Sequence, residues 1–310
     1  MSTLESFDPD TIRLTSGCLI NGQRVAGDGG TYEVRRPSDE YLVAEERSAS
    51  AAMVDAAVDV ARRAFRQSRW RSMPPRERAA VMLRWADLIV QHTQELARLE
   101  SVVSTRTISV TQTRDVLRAA DIIRYYAELI DKVEGQVLAS SDAALSMTLR
   151  EPHGVVAAIS HWNVPLVLAT IKLAPALAAG NAIVLKPGEN TCYAILRAAE
   201  LAVEAGIPAG QIGVLPGLGA ETGDALVKHP DVDYVTFTGS TETGARGRGQ
   251  RGVARRQTGL ARTGRQESES GSARRGQTRD AGAIGRCRHH PECRADLLCR
   301  HAPDRRGANC

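Results

Sequence analysis

Four short polar clusters in this 310-residue chain hold residue types that can do chemistry, and each follows a short apolar run. His161-Trp162-Asn163 brings a side-chain amide, which can donate two hydrogen bonds to an oxygen gaining negative charge. Lys186-Pro187-Gly188-Glu189 sets an ammonium and a carboxylate three residues apart. The carboxylate can accept both hydroxyls of a ribose, and the ammonium can donate to the same sugar. Pro216-Gly217-Leu218-Gly219, with Gly223 beyond, lets backbone approach a ligand closely, because glycine has no Cβ. Thr238-Gly239-Ser240, followed by Thr243, offers a hydroxyl and a helix N-terminus that can receive a pyrophosphate. Each cluster also has a plainer use. An isolated Asn satisfies its own backbone in turns, a Lys-x-x-Glu loop can simply be solvated, and glycines open ordinary turns. None of the four clusters contains the G-x-G-x-x-G fingerprint.

An alternation of strands and helices positions these clusters. Short β-branched runs at Val155–Ile159, 182–185, 212–215 and 234–237 read as strands, with helices at 165–178, 192–205 and 220–228 between them. The expected fold is α/β, a Rossmann-like parallel sheet covered on both faces, with ligands beyond the C-terminal strand ends where all four clusters fall. Upstream, Asn21-Gly22 between two apolar runs predicts a hairpin, and residues 27–30 read as a loop. Ser48 or Ser50 can cap a helix running to about Gln67, and Pro74-Pro75 opens a second. A third continues to about Val103, and a long helix spans about 111–133, ended by Gly135. Residues 145–150 alternate and read as a strand.

Composition divides the chain near Gly244. Residues 1–244 carry 24 Lys+Arg against 30 Asp+Glu, while residues 245–310 carry 16 Arg, no Lys and 6 acids. All Phe, Trp and Tyr precede residue 245, and four of the six Cys follow it. The body reads as a slightly acidic soluble domain, and the Arg-rich tail as a low-order segment that packs no core. The polar N-terminus does not read as a signal peptide, and no apolar run approaches about 18 residues, so no membrane partner is expected. Cys18 and Cys192 have no motif around them and read as reduced thiols of a cytoplasmic protein.

WNVP, KLAPALAAGN, LKPGE and FTGST-TG, in this order and spacing, resemble the aldehyde dehydrogenase superfamily over about residues 15–244. The resemblance implies an NAD-binding domain over 1–244 and oxidation of a small-molecule aldehyde to a carboxylic acid. It assigns Asn163 to the oxyanion formed when a thiolate attacks the aldehyde. Lys186 and Glu189 would hold the adenosine ribose, with Gly219, Gly239, Ser240 and Thr243 along the dinucleotide. Ile159 and Trp162 join them, and Ile159 and Pro187 would supply apolar walls. A ribose-facing Glu favours NAD over NADP, because it repels a 2′-phosphate. The strand near 145–150 serves homo-oligomers in the family. Where the family usually has Pro before the Trp, this chain has His161, to which no catalytic role is given. Lys172, whose family counterpart lies near the site, reads here as solvated or salt-bridged.

Two family segments are missing. The reaction needs a Cys thiolate, in a GQ-C setting, to form a thiohemiacetal from which hydride leaves to the nicotinamide. It then needs a Glu, in ELGGK, to activate the water that hydrolyses the thioester. Neither string occurs after Gly244. Both are compatible with the same codons read one base out of frame. Residues 257–269 (QTGLARTGRQESE) can encode KRVSLELGGKSPN, with the Glu on the codon of Arg262. Residues 292–303 (ECRADLLCRHAP) can encode NAGQIC, one position open to any of four residue types, then AGTRL. The expectation is a frame shift between about 244 and 257 and an inactive chain. The alternative is a non-catalytic NAD-binding or interaction protein. Within the tail, sixteen Arg without interleaved aromatics do not make a nucleic-acid arm. The Cys and His between 287 and 301 match no common zinc spacing. Neither nucleic acid nor metal is therefore expected.

Overall fold

A computed structural model describes residues 7–140, 142 and 144–239, together with the strand segments 258–263 and 299–300. Asn21 and Gly22 adopt φ of 51° and 73°, the left-handed pair that turns β1 (Cys18–Ile20) tightly into β2 (Gln23–Val25). An antiparallel pair follows, β3 (Thr31–Arg35) and β4 (Leu42–Arg47). The sequence reading missed it. Glu33, Arg35, Glu45, Glu46 and Arg47 blur the apolar alternation, and only tertiary packing buries Val34 and Glu46.

Ser50 accepts the Met53 N–H and caps α1 (Ala51–Gln67), and Pro75 begins α2 (Pro75–Gln91). After α3 (Thr93–Val103) the expected long helix is broken. It starts earlier, as α4 (Ile108–Val110), passes through a π-turn at Thr111–Asp115, and continues as α5 (Val116–Glu128). The buried Thr111 hydroxyl donates to the Ile108 carbonyl at 2.9 Å, local competition of the kind that disturbs a regular helix. At 145–150 the expected strand is reduced to one antiparallel bridge, Val137↔Met147, on an exposed ribbon.

Next come β5 (Glu151–Pro152), β6 (Val155–Ile159), α6 (Pro165–Ala178), β7 (Ala182–Lys186), α7 (Tyr193–Glu204) and β8 (Ile212–Val214). Then follow α8 (Asp224–Lys228), β9 (Tyr234–Gly239), β10 (Thr258–Thr263) and β11 (Cys299–Arg300), the last pairing with β5. The main sheet has the order β10-β9-β6-β7-β8-β1-β2. From β10 to β8 it is parallel, and β1 and β2 add an antiparallel edge.

Both faces of the parallel strands are buried, and alternate residues separate cleanly. Val155, Ala157, Ala182 and Val184 join the core beneath α1 and α8, whereas Val156, Ala158, Ile183 and Leu185 join the larger core with α2, α3, α5, α6 and α7. Trp70 and Trp85 lie fully inside that larger core. Each indole N–H has a carbonyl partner, Leu177 at 3.0 Å and Ala198 at 2.9 Å. No helix among the described residues is long and apolar enough to cross a membrane.

Candidate functional site

Register places the polar clusters together. Ile159 lies opposite Lys186 and Phe237, and Leu185 opposite Val214, so β6, β7, β8 and β9 finish along one edge of the sheet. The segments that follow them meet there. Lys186 is 4% exposed, and its Nζ stands 3.7 Å from Oε1 of the half-exposed Glu189. Burial lowers the Lys186 pKa, and the neighbouring Glu189 opposes that shift. The same Glu189 Oε1 accepts the Gly219 N–H at 2.8 Å. A Cβ at Gly223 would touch Ile159 and Lys186, and one at Gly188 would come within 3.0 Å of the Trp162 Cβ. Ile159, Trp162, Lys186, Glu189 and Gly219 thus form one group. Gly239 ends β9 on the same edge, while Ser240 and Thr243 lie outside the described residues.

This group suits a dinucleotide. It joins a carboxylate acceptor, an ammonium donor and the backbone N–H of an open glycine that the carboxylate already engages, groups that a ribose diol and a phosphate ester can use. Apolar Ile159 and the half-exposed ring of Trp162 flank it.

Asn163 lies in the turn before α6. Its Oδ1 meets Nδ1 of His161 at 3.2 Å, so His161 donates to it and fixes the face the amide presents. His161 therefore orients the Asn163 amide, a part that its residue type alone does not reveal. Of the two expectations for Lys172, solvated or salt-bridged, the first is overturned. Lys172 is buried rather than solvated, and its Nζ donates to the Thr236 hydroxyl of β9 at 3.0 Å. The apolar helix α6 turns it inward, onto the sheet.

Glu100, on α3, is a residue that sequence reasoning overlooked. Its Oε2 accepts the N–H of Leu166, in the first turn of α6, at 3.1 Å, and its Oε1 has no hydrogen-bond partner among the described residues. Helical spacing alone places a Glu on a surface, and only the contact with α6 shows otherwise. Burial pushes the Glu100 carboxyl up to about 8; the Leu166 N–H opposes this, Asp115 adds to it, and Arg106 opposes it. The folded state therefore binds a proton that the unfolded chain releases near pH ~4.3. Stability from this group is full below that value and is lost progressively as pH rises to about 8. Glu100→Gln should flatten this dependence and raise the melting temperature at pH 8–9 relative to the unsubstituted chain. Thermal denaturation across pH 5–9 checks it, and parallel curves for the two proteins would contradict it.

A parallel sheet with a Lys–Glu pair beyond the C-terminal ends of its strands has the layout of a nucleotide-binding α/β domain. The aldehyde dehydrogenase family matches residues 25–256, and the chain belongs to that family. It is 45% identical over 235 residues to the aminoacetaldehyde dehydrogenase of Pseudomonas aeruginosa, covering 76% of this chain and 47% of that protein. To the NADP/NAD-dependent aldehyde dehydrogenase PuuC of Escherichia coli it is 41% identical, covering 76% and 48%. The crystal structure of indole-3-acetaldehyde dehydrogenase complexed with NAD+ superposes with a TM-score of 0.80 at 39% identity, covering 83% of this chain and 52% of that one. The chain spans about half the length of the curated relatives it matches.

Proposed function

We propose that this chain is the dinucleotide-binding half of an aldehyde dehydrogenase that oxidises an aldehyde to a carboxylic acid, and that the 310-residue form binds NAD without turnover. The observation that carries the reading is the Lys186–Glu189–Gly219 arrangement at the sheet edge. Lys186 and Glu189 would hold the adenosine ribose, and Gly219 and Gly239 would line the dinucleotide. Bound NAD supplies the hydride acceptor. Asn163, oriented by His161, would donate to the oxyanion. The half-exposed Glu189 favours NAD over NADP, since its charge would face a 2′-phosphate.

Two observations support a frame shift as the cause of inactivity. The family match stops at residue 256, next to Gln257, where the shifted-frame string begins. Thr258–Thr263, within that string, pairs in parallel with β9 as β10, with Arg262 opposite Thr238. A third observation concerns thiols. Among the described residues Cys18 and Cys192 are free and buried, and burial pushes Cys18 up to about 12 and Cys192 upward as well. Neither can serve as a thiolate nucleophile at neutral pH. The same buried thiols suit a reducing, cytoplasmic setting. The exposed apolar ribbon that includes Val137, Leu138, Leu145 and Leu149 suits packing against a second copy of the chain.

Calorimetry on the purified chain tests the reading. NAD should bind, and Glu189→Ala should weaken it about tenfold, the loss of one or two hydrogen bonds to a charged acceptor. A chain that binds no NAD, or a Glu189→Ala variant that binds as well, contradicts the assignment. NAD binding by a chain whose tail proves to be encoded in one unbroken frame would favour a non-catalytic NAD-binding protein.

A further inference from the structure

The loop that carries Gly219 is not held by its own strand alone. It is sewn to the Ser48-Ala49 segment between β4 and α1, some 170 residues earlier in the chain. The Leu218 N–H donates to the Ser48 hydroxyl at 3.1 Å. The Ala49 N–H donates to the Pro216 carbonyl at 3.0 Å. The Thr222 hydroxyl donates to the Ala49 carbonyl at 2.7 Å. Ser48, Ala49 and Thr222 are each fully buried. Gly217 makes room for this seam. Its φ is +154°, and a Cβ there would run into the Thr222 hydroxyl and lie 3.1 Å from the Ala49 nitrogen. On the far side of the same loop, the Gly219 N–H reaches Glu189.

We infer that Ser48 and Thr222 are positioning residues for the cofactor, setting the loop height at which Gly219 and Glu189 meet the adenosine ribose. The inference rests on the reading that the chain binds NAD. Three bonds, each with a fully buried residue on at least one side, resist competition by water, so the seam acts as a rigid strut. Losing the Thr222 hydroxyl leaves the Ala49 carbonyl without that donor and releases the turn that begins at Gly219. The ligand contacts then become less well organised although none of them has been removed.

The test is calorimetric binding of NAD, AMP and nicotinamide mononucleotide to the full chain and to Thr222→Val and Thr222→Ser, well below their melting temperatures. Thr222→Val should weaken NAD and AMP by the same factor, about tenfold. It should leave nicotinamide mononucleotide, which lacks the adenosine ribose, unchanged. Thr222→Ser restores the hydroxyl and should bind within about twofold of the unsubstituted chain. A merely structural role would move melting temperature and leave these affinities alone. If Thr222→Val fails to fold, Ser48→Ala carries the same expected loss. NAD binding by the unsubstituted chain together with unaltered binding by either loop variant overturns this inference and leaves the NAD-binding reading standing. A lack of NAD binding by the unsubstituted chain overturns both.

Discussion

Restoring the reading frame between residues 244 and 257 should raise aldehyde-dependent NADH formation on the order of 10⁴-fold or more over the 310-residue chain. The size follows from what the change returns. An attacking thiolate and a base for the hydrolytic water act as a unit, and a protein lacking both retains only binding and oxyanion stabilisation. Residues 7–239 keep the Lys186–Glu189–Gly219 group and the Asn163 amide but offer only two thiols, both buried. Spectrophotometry at 340 nm with both proteins and a set of aldehydes measures the difference. Comparable steady NADH production by the unaltered chain would refute the proposal, as would resequencing that finds ELGGK in no frame.

In the frame-restored protein, Asn163→Ala should lower kcat by about 10²–10³-fold and leave the Kd for NAD within about twofold. An oxyanion donor acts on charge that develops during reaction, so its loss falls on turnover rather than on binding. His161→Ala keeps the amide and loses only its orientation, and should cost less than Asn163→Ala. Stopped-flow measurement of the hydride-transfer step, paired with NAD titration, separates these effects. Equal losses in turnover and in NAD affinity would show that Asn163 serves the cofactor site or the fold instead.

The structure also bears on solubility. Trp162, Ile171, Leu117 and Tyr125 remain exposed on or near α5 and α6. Large apolar side chains there suit contact with further protein, and they favour self-association in its absence.

The sheet and most of the site were legible in the residues. β6, β7, β8 and β9 follow runs short and apolar enough to be strands buried on both faces, with glycine or proline shortly after each. The Asn21-Gly22 hairpin and the Ser50 and Pro75 helix starts are local chemistry, and local chemistry survives into the fold. Reading was weakest where local pattern and tertiary environment disagree. β3 and β4 look charged because one face is wet, and the alternating run at 145–150 forms a single bridge, to Val137, among the described residues.

Sequence by itself determined the family, the parallel α/β class, the shift in composition near residue 244, and the residue types gathered at the C-terminal sheet edge. These are properties of spacing and composition. Tertiary structure alone decided what those residues touch. It turned Lys172 inward onto Thr236 and buried Glu100 against the start of α6. It also set His161 on Asn163 and tied Ser48 and Ala49 to the loop that carries Gly219. The physical reason is the same in each case. A buried polar group must find a partner, and that partner is supplied by whichever segment packs against it, most often one distant in the chain.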